Sequence, residues 1–251
     1  MKLTEALTRT RGIPFIDESK RTELYEFVLG NKPKKILELG FAHGVSTCIM
    51  AAALDELPGH GTISTIDILP AREWQDKLMS IEKLSSIMNL DKYIQVFREK
   101  KSYTWWLKKE LERKKADRTW QPYDFIFIDG AHNWTIDTAA FFLCEKILRT
   151  GGWILFDDLK YSYCKMIERD GRIETAGVSH YDMSDDELKE PAVGQIFELL
   201  VIDHEHLGEF RYSQNSDWGW ARKLSDGHSW FDDLRRCKWA IERRLKYTNR
   251  V

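Results

Sequence analysis

The chain has 251 residues, 43% of them hydrophobic, enough to bury one large core, and a formal net charge of -2 gives no global attraction to nucleic acid or an anionic membrane. Its four cysteines, Cys48, Cys144, Cys164 and Cys237, are far apart, with no CxxC and no paired histidines, a pattern that suggests reduced thiols in a cytoplasm rather than a zinc site or a disulfide framework. The opening MKLTEALTRTRGIPF lacks the apolar run of a signal peptide, and no stretch approaches the roughly 18 apolar residues of a membrane span, so a soluble cytoplasmic protein is expected.

In chain order, the first 30 or so residues read as helices that cap the core. Five β-branched or aromatic runs follow, KKILELG, GTISTID, YIQVFR, YDFIFID and GGWILFDD. They alternate with helix candidates at about 44–57, 72–89, 102–116 and 135–148, the last closed by Gly151 and Gly152. Alternation of this kind predicts βαβ units and a doubly wound, mostly parallel α/β sheet. After Asp158 a polar stretch at 159–191, too long for an ordinary connection, reads as a substrate-covering loop.

A helix at about 192–203 comes next. HLGEFRYSQNSDWGWARKL then reads as two strands joined by the turn-rich SQNSD, an antiparallel pair ending the sheet. A terminal helix at about 229–247, with Trp230, Leu234, Cys237, Trp239, Ile241 and Leu245 along one side, either packs on the domain or makes a homodimer contact. The expectation is one domain: a helical cap at 1–32, a core at 33–158, the loop at 159–191, a closing helix and strand pair at 192–226, and the last helix at 227–251.

Glu38, Gly40 and Gly44 form E-x-G-x-x-x-G between a predicted strand and helix, where small residues let backbone N–H groups approach a ligand. Asp67 ends the second predicted strand, where its carboxylate can accept from ribose hydroxyls. A nicotinamide cofactor would use such an acid, but the turn lacks the G-x-G-x-x-G spacing suited to a pyrophosphate. A nucleoside cofactor without phosphates fits better.

With ILELGFAHGVST, TISTIDI, the KKSY segment, FIDGAHNW and ILFDDL in this order, the chain resembles the class I S-adenosylmethionine (SAM)-dependent methyltransferases, and within them the catechol O-methyltransferase-like, metal-dependent enzymes. The resemblance runs from about Lys35 to Asp158 and resumes at the closing strand pair. It implies a seven-stranded Rossmann-like sheet with an antiparallel final strand. It also implies cofactor contacts at Glu38, Gly40, Ala42, Gly44 and Asp129, with Ser46 near the methionine carboxylate, Asp67 at the ribose and Ser102 at the adenine. Ser46 and Ser102 fit equally a plain helix-start role.

Strand ends of a parallel sheet face one crevice, so Asp129 can meet the adjacent pair Asp157 and Asp158. Three carboxylates together must raise their pKa values or recruit a cation, and an oxygen-only set suits Mg²⁺. The resemblance implies the same three residues as metal ligands, holding two oxygens of the acceptor. His132 stands where catechol enzymes carry a lysine, which makes it the candidate base. Asp158 stands where they carry asparagine, a version that resembles sugar O-methyltransferases of natural-product glycosides.

The sequence therefore predicts Mg-assisted methyl transfer from SAM to a hydroxyl of a small molecule, a sugar or a phenol. Two alternatives stay open: a metal-independent methyltransferase with another acceptor, and a catalytically silent cofactor-binding protein. Ten tryptophans read mostly as core; Trp134, close to Asp129, is the candidate to pack on cofactor or substrate. Tyr161, Tyr163, His180 and Tyr181 are candidates to line an acceptor pocket. In KKSYTWWLKKELERKKADR, acids interrupt the basic run at helical spacing, so it reads as a solvated helix face rather than a nucleic-acid site.

Overall fold

The computed structural model describes residues 1–59, 61–170, 183–214 and 216–226. The helix expected at 229–247, with Cys237, and the candidates His180 and Tyr181 lie outside them. Seven strands, β1 (Lys35–Leu39), β2 (Thr62–Ile68), β3 (Ile94–Glu99), β4 (Tyr123–Ile128), β5 (Leu148–Phe156), β6 (Leu207–Tyr212) and β7 (Gly219–Lys223), form one sheet in the order β3-β2-β1-β4-β5-β7-β6. The first five strands pair in parallel; β7 runs antiparallel to both β5 and β6. This is the doubly wound, mostly parallel sheet that the alternation predicts, in the seven-stranded Rossmann-like form that the resemblance implies.

The central strands are covered on both faces, so they are largely apolar on both sides, and neighbouring side chains divide between two cores. Ile36, Ile63, Phe125, Phe127, Trp153 and Leu155 face one core with Trp218 and Trp220. The helices α1 (Leu3–Arg9), α2 (Glu18–Asn31), α3 (Val45–Asp55) and α5 (Ile81–Ile87) contribute to the same core. Leu37, Leu39, Ile126, Ile128, Ile154 and Phe156 face the other, against α6 (Tyr103–Ala116), α7 (Trp134–Glu145) and α10 (Ala192–Ile196). Trp106, Trp153, Trp218 and Trp220 are buried, whereas Trp105 and Trp134 are exposed.

Four expected elements differ in detail. The helix expected over 72–89 breaks into α4 (Arg72–Leu78) and α5, because Met79 turns extended and Ser80 caps α5 by accepting from Lys83 N at 3.2 Å. The helix expected to reach 148 ends at Glu145. Gly151 and Gly152 are not its stop signal but lie inside β5, where Gly151 takes φ 78° and a Cβ on Gly152 would sit 2.9 Å from Asp124 O.

The stretch after Asp158 is not all loop, since it holds α8 (Tyr163–Asp170) and α9 (Asp185–Lys189), the latter opened by a Ser184–Glu187 capping box. The helix expected over 192–203 is α10 followed by a π-helical turn at Phe197–Val201.

The strand order reverses between β1 and β4, and the crevice beyond the C-terminal ends of these two strands is where ligands bind in sheets of this kind. Leu39 pairs with Ile128 and Ile128 with Phe156, so the next residues out, Gly40, Asp129 and Asp157, sit side by side at one sheet edge.

Candidate active site

The turn after β1 is built by its glycines. Gly40 takes φ 88°, and a Cβ there would fall 1.8 Å from the carbonyl oxygen of Asp129. Gly44 takes φ 81° as the N-cap of α3, and a Cβ would meet Ile81 Cγ1 at 2.5 Å. Ala42 is also left-handed, at φ 45°. Asp67 at the end of β2 organises this turn: its Oδ2 accepts from Phe41 N at 3.2 Å, Ala42 N at 3.1 Å and Gln75 Nε2 at 2.8 Å. Burial raises the Asp67 pKa, and these donors restrain the rise.

Glu38 lies fully buried beneath the turn, its Oε2 accepting from Thr65 at 2.6 Å and from Thr47. Burial pushes its carboxyl up to about 7, although the hydroxyls of Ser46, Thr47 and Thr65 hold it down. Among the described residues Glu38 Oε1 has no well-formed hydrogen bond. A buried acceptor under a glycine turn, next to a strand-end acid, suits a cofactor that brings a ribose and an ammonium group. Ser46 lies buried in the first turn of α3. Ser102 is the N-cap of α6, accepting from Thr104 N at 3.1 Å.

His132 stands on the loop between β4 and α7 with φ 53°, a conformation the surroundings hold in place. Tyr103 donates to Asp137 and accepts from Ala131 N at 3.1 Å, Asp137 accepts from Asn133 N at 3.1 Å, and Tyr163 donates to Ala131 O at 2.7 Å. Thus clamped, His132 Nε2 lies 3.9 Å from Asp129 Oδ1 and 3.8 Å from Asp158 Oδ2, with the Tyr161 ring 5.3 Å away. Trp134 starts α7 beside this loop and is 42% exposed, so the core does not account for its ring.

The close acidic cluster differs from the expected set of Asp129, Asp157 and Asp158: among the described residues Asp217 joins Asp157 and Asp158, and Asp129 stands outside the group. Continuing the β5–β7 pairing past Phe156–Gly219 sets Asp158 opposite Asp217, whose carbonyl accepts from Leu159 N at 2.9 Å. Among the described residues, Asp157, Asp158 and Asp217 are the acids whose oxygens lie within 4.8 Å of one another. Into their midst comes Lys20 from α2. Its Nζ is 2.5 Å from Asp157 Oδ1, 2.8 Å from Asp217 Oδ1 and 3.6 Å from Asp158 Oδ1.

Burial alone would lower the Lys20 pKa, but the charge of Asp157 and hydrogen bonds to Asp157 and Asp217 hold it well above the usual lysine range. Burial, and then the charge of Asp158, push Asp157 up to about 7 in spite of Lys20. Asp129 rises for the same reasons, burial first and then Asp157 and Asp158. These carboxylates do not fit Mg²⁺ as they stand, because the Lys20 ammonium stands within 2.5 Å of Asp157 and 2.8 Å of Asp217, and a dication among them would meet that fixed positive charge at close range.

Lys20 and Asp217 are the residues that sequence reasoning missed. Lysine in a capping helix carries no motif. Asp217 sits in SQNSD, where an acid reads as turn chemistry; only the strand register could have brought it to Asp158.

The strand order, with its antiparallel β7, is that of the Rossmann-like methyltransferase fold. Residues 37–159, just under half of the chain, match the family described as "Methyltransferase domain". Three solved structures illustrate the wider likeness. The O-methyltransferase TomG from Streptomyces achromogenes, involved in tomaymycin synthesis and in complex with SAM, is 17% identical over 89% of each chain, with a TM-score of 0.56. An O-methyltransferase from Bacillus cereus in complex with SAH is 18% identical over 89% of this chain and 90% of that one, with a TM-score of 0.56. A Podospora anserina methyltransferase, SAH-bound, is 15% identical over 89% of this chain and 88% of that one, with a TM-score of 0.60. At these identities the likeness speaks for the fold alone. Among the described residues, no helix is long and apolar enough to cross a membrane.

Proposed function

We propose that the protein transfers a methyl group from SAM to a hydroxyl of a small molecule, a sugar or a phenol. The observation that carries this reading is the sheet edge itself. The glycine turn with Asp67 and the His132 loop with Asp129 occupy adjacent strand ends, so cofactor and acceptor share one crevice. Two of the solved relatives are named as O-methyltransferases and one is in complex with SAM, which supports the choice of oxygen and of cofactor.

SAM, when bound, supplies an electrophilic methyl group on a sulfonium. Asp67 accepts from the ribose hydroxyls, and Glu38, beside Ser46 at the base of the turn, offers its open Oε1 as an acceptor toward the ammonium. His132 Nε2 takes the proton of the acceptor hydroxyl, and Asp129 and Asp158, each within 4 Å, stabilise the imidazolium that results. Positioning supplies much of the acceleration for such a transfer. No step here passes through magnesium, which the donor set does not fit with Lys20 in place.

Calorimetric titration with SAM, followed by labelled methyl transfer to a panel of sugars and phenols, tests the reading. Saturable SAM binding and methylation of a hydroxyl are expected. No SAM binding would overturn it.

A further inference from the structure

We propose that Lys20 is the resident cation of the active site: its ammonium compensates the Asp157, Asp158 and Asp217 carboxylates in place of a divalent metal and makes the protein independent of one. The inference rests on reading this crevice as the acceptor site. Three carboxylates and one ammonium meet within one small volume, and the ammonium engages one oxygen of each of two of them, at 2.5 Å on Asp157 and 2.8 Å on Asp217. Its side chain is only 10% exposed and Asp157 only 3%, so water does little to screen the pair.

The lysine is delivered by built structure rather than by a flexible arm. Asp17 caps α2 by accepting from Lys20 N at 2.8 Å. Arg21, the next residue, is buried and ties down the preceding turn, donating to Ile16 O at 2.9 Å, Thr10 O at 2.9 Å and Ile13 O at 2.8 Å. The Trp218 ring lies 5.7 Å from the ammonium and closes another side. A lysine in the first turn of a helix sits at the positive end of the helix dipole, an unfavourable place that the carboxylates offset.

A dication added to this arrangement would meet a fixed positive charge and oxygens already engaged; removing the lysine head would leave a bare acidic cluster that recruits one. Mn²⁺ titrated by electron paramagnetic resonance into the full-length protein decides the matter without any turnover. Wild type is expected to show no saturable site, and Lys20→Met to gain one at least about 100-fold tighter, lost again when Asp157→Asn is added. Circular dichroism establishes which variants fold, and Lys20→Gln, with a polar end, replaces Lys20→Met if the latter does not.

A saturable wild-type site that Asp157→Asn removes would overturn the proposal, as would a folded Lys20 variant that gains no site. SAM titrated into the same samples separates this from the proposed function. Absence of SAM binding by wild type sinks the methyl-transfer reading, whereas the Mn²⁺ result alone decides the role of Lys20.

Discussion

The Cβ that Gly40 lacks would occupy a point 1.8 Å from the carbonyl oxygen of Asp129. The glycine turn and the acidic strand end are therefore in backbone contact across the β1–β4 pair, with Asp129 N donating to Leu39 O at 2.8 Å. Gly40→Ala combines this overlap with a left-handed φ of 88°. It is expected to destabilise the protein by more than about 3 kcal/mol and to abolish SAM binding. Urea unfolding and calorimetry check both; a variant of wild-type stability would contradict the close approach.

Glu38 makes stability depend on pH. Its carboxyl titrates near 4.5 when unfolded and at about 7 when folded, so its contribution is complete below the lower value and is lost as pH rises through the upper one. At roughly 1.4 kcal/mol per pH unit the interval corresponds to about 3 kcal/mol. Glu38→Gln should therefore flatten the fall in stability between about pH 4.5 and pH 7. The wild-type curve keeps some slope in that direction from Asp157, itself raised to about 7, so the comparison is between the two proteins. Parallel curves would mean that Glu38 does not hold its proton to neutral pH.

Removing the His132 imidazole should act on turnover and spare the cofactor. His132 approaches Asp129, Asp158 and Tyr161, not the glycine turn. His132→Ala should lower kcat by about 10²–10⁴-fold, the usual span for a lost general base, with SAM affinity unchanged. An unaltered kcat would remove His132 from that role.

The clamp behind His132 can be opened one bond at a time. Tyr103→Phe deletes the hydroxyl that donates to Asp137 and accepts from Ala131 N, leaving both groups buried and short of a partner. A loss of about 1–3 kcal/mol is expected, with a lower kcat as the loop relaxes. Thermal unfolding and turnover measured on the same variant test this, and a stable variant with lowered kcat would assign the clamp to positioning alone.

Short β-branched and aromatic runs alternating with helical segments made the sheet legible in the sequence, because central strands covered on both faces are largely apolar and bounded by polar turns. Strand ends then led directly to Asp67, Asp129, Asp157 and Asp158, since parallel register aligns whatever follows the last paired residue. Breaks within elements were less legible. Met79–Ser80 interrupts a helical pattern by a local cap, and Gly151–Gly152 carry the chain through an irregular strand rather than ending a helix. Lys20 and Asp217 were out of reach for a different reason. Each arrives from a segment remote in sequence, Lys20 at a separation of 137 residues from Asp157, and local pattern holds no information on which distant charge fills a cluster.

That remoteness bears on how the protein can be divided. The stretch recognisable as a methyltransferase domain, 37–159, holds Asp129, Asp157 and Asp158 but neither Lys20 nor Asp217. A fragment cut at those limits, or a chimera that grafts them onto another chain's helices, would keep the acids and lose the charge that balances them. The smallest transplantable unit of this protein is therefore set by an ion pair, and it extends to α2 on one side and to the turn between β6 and β7 on the other.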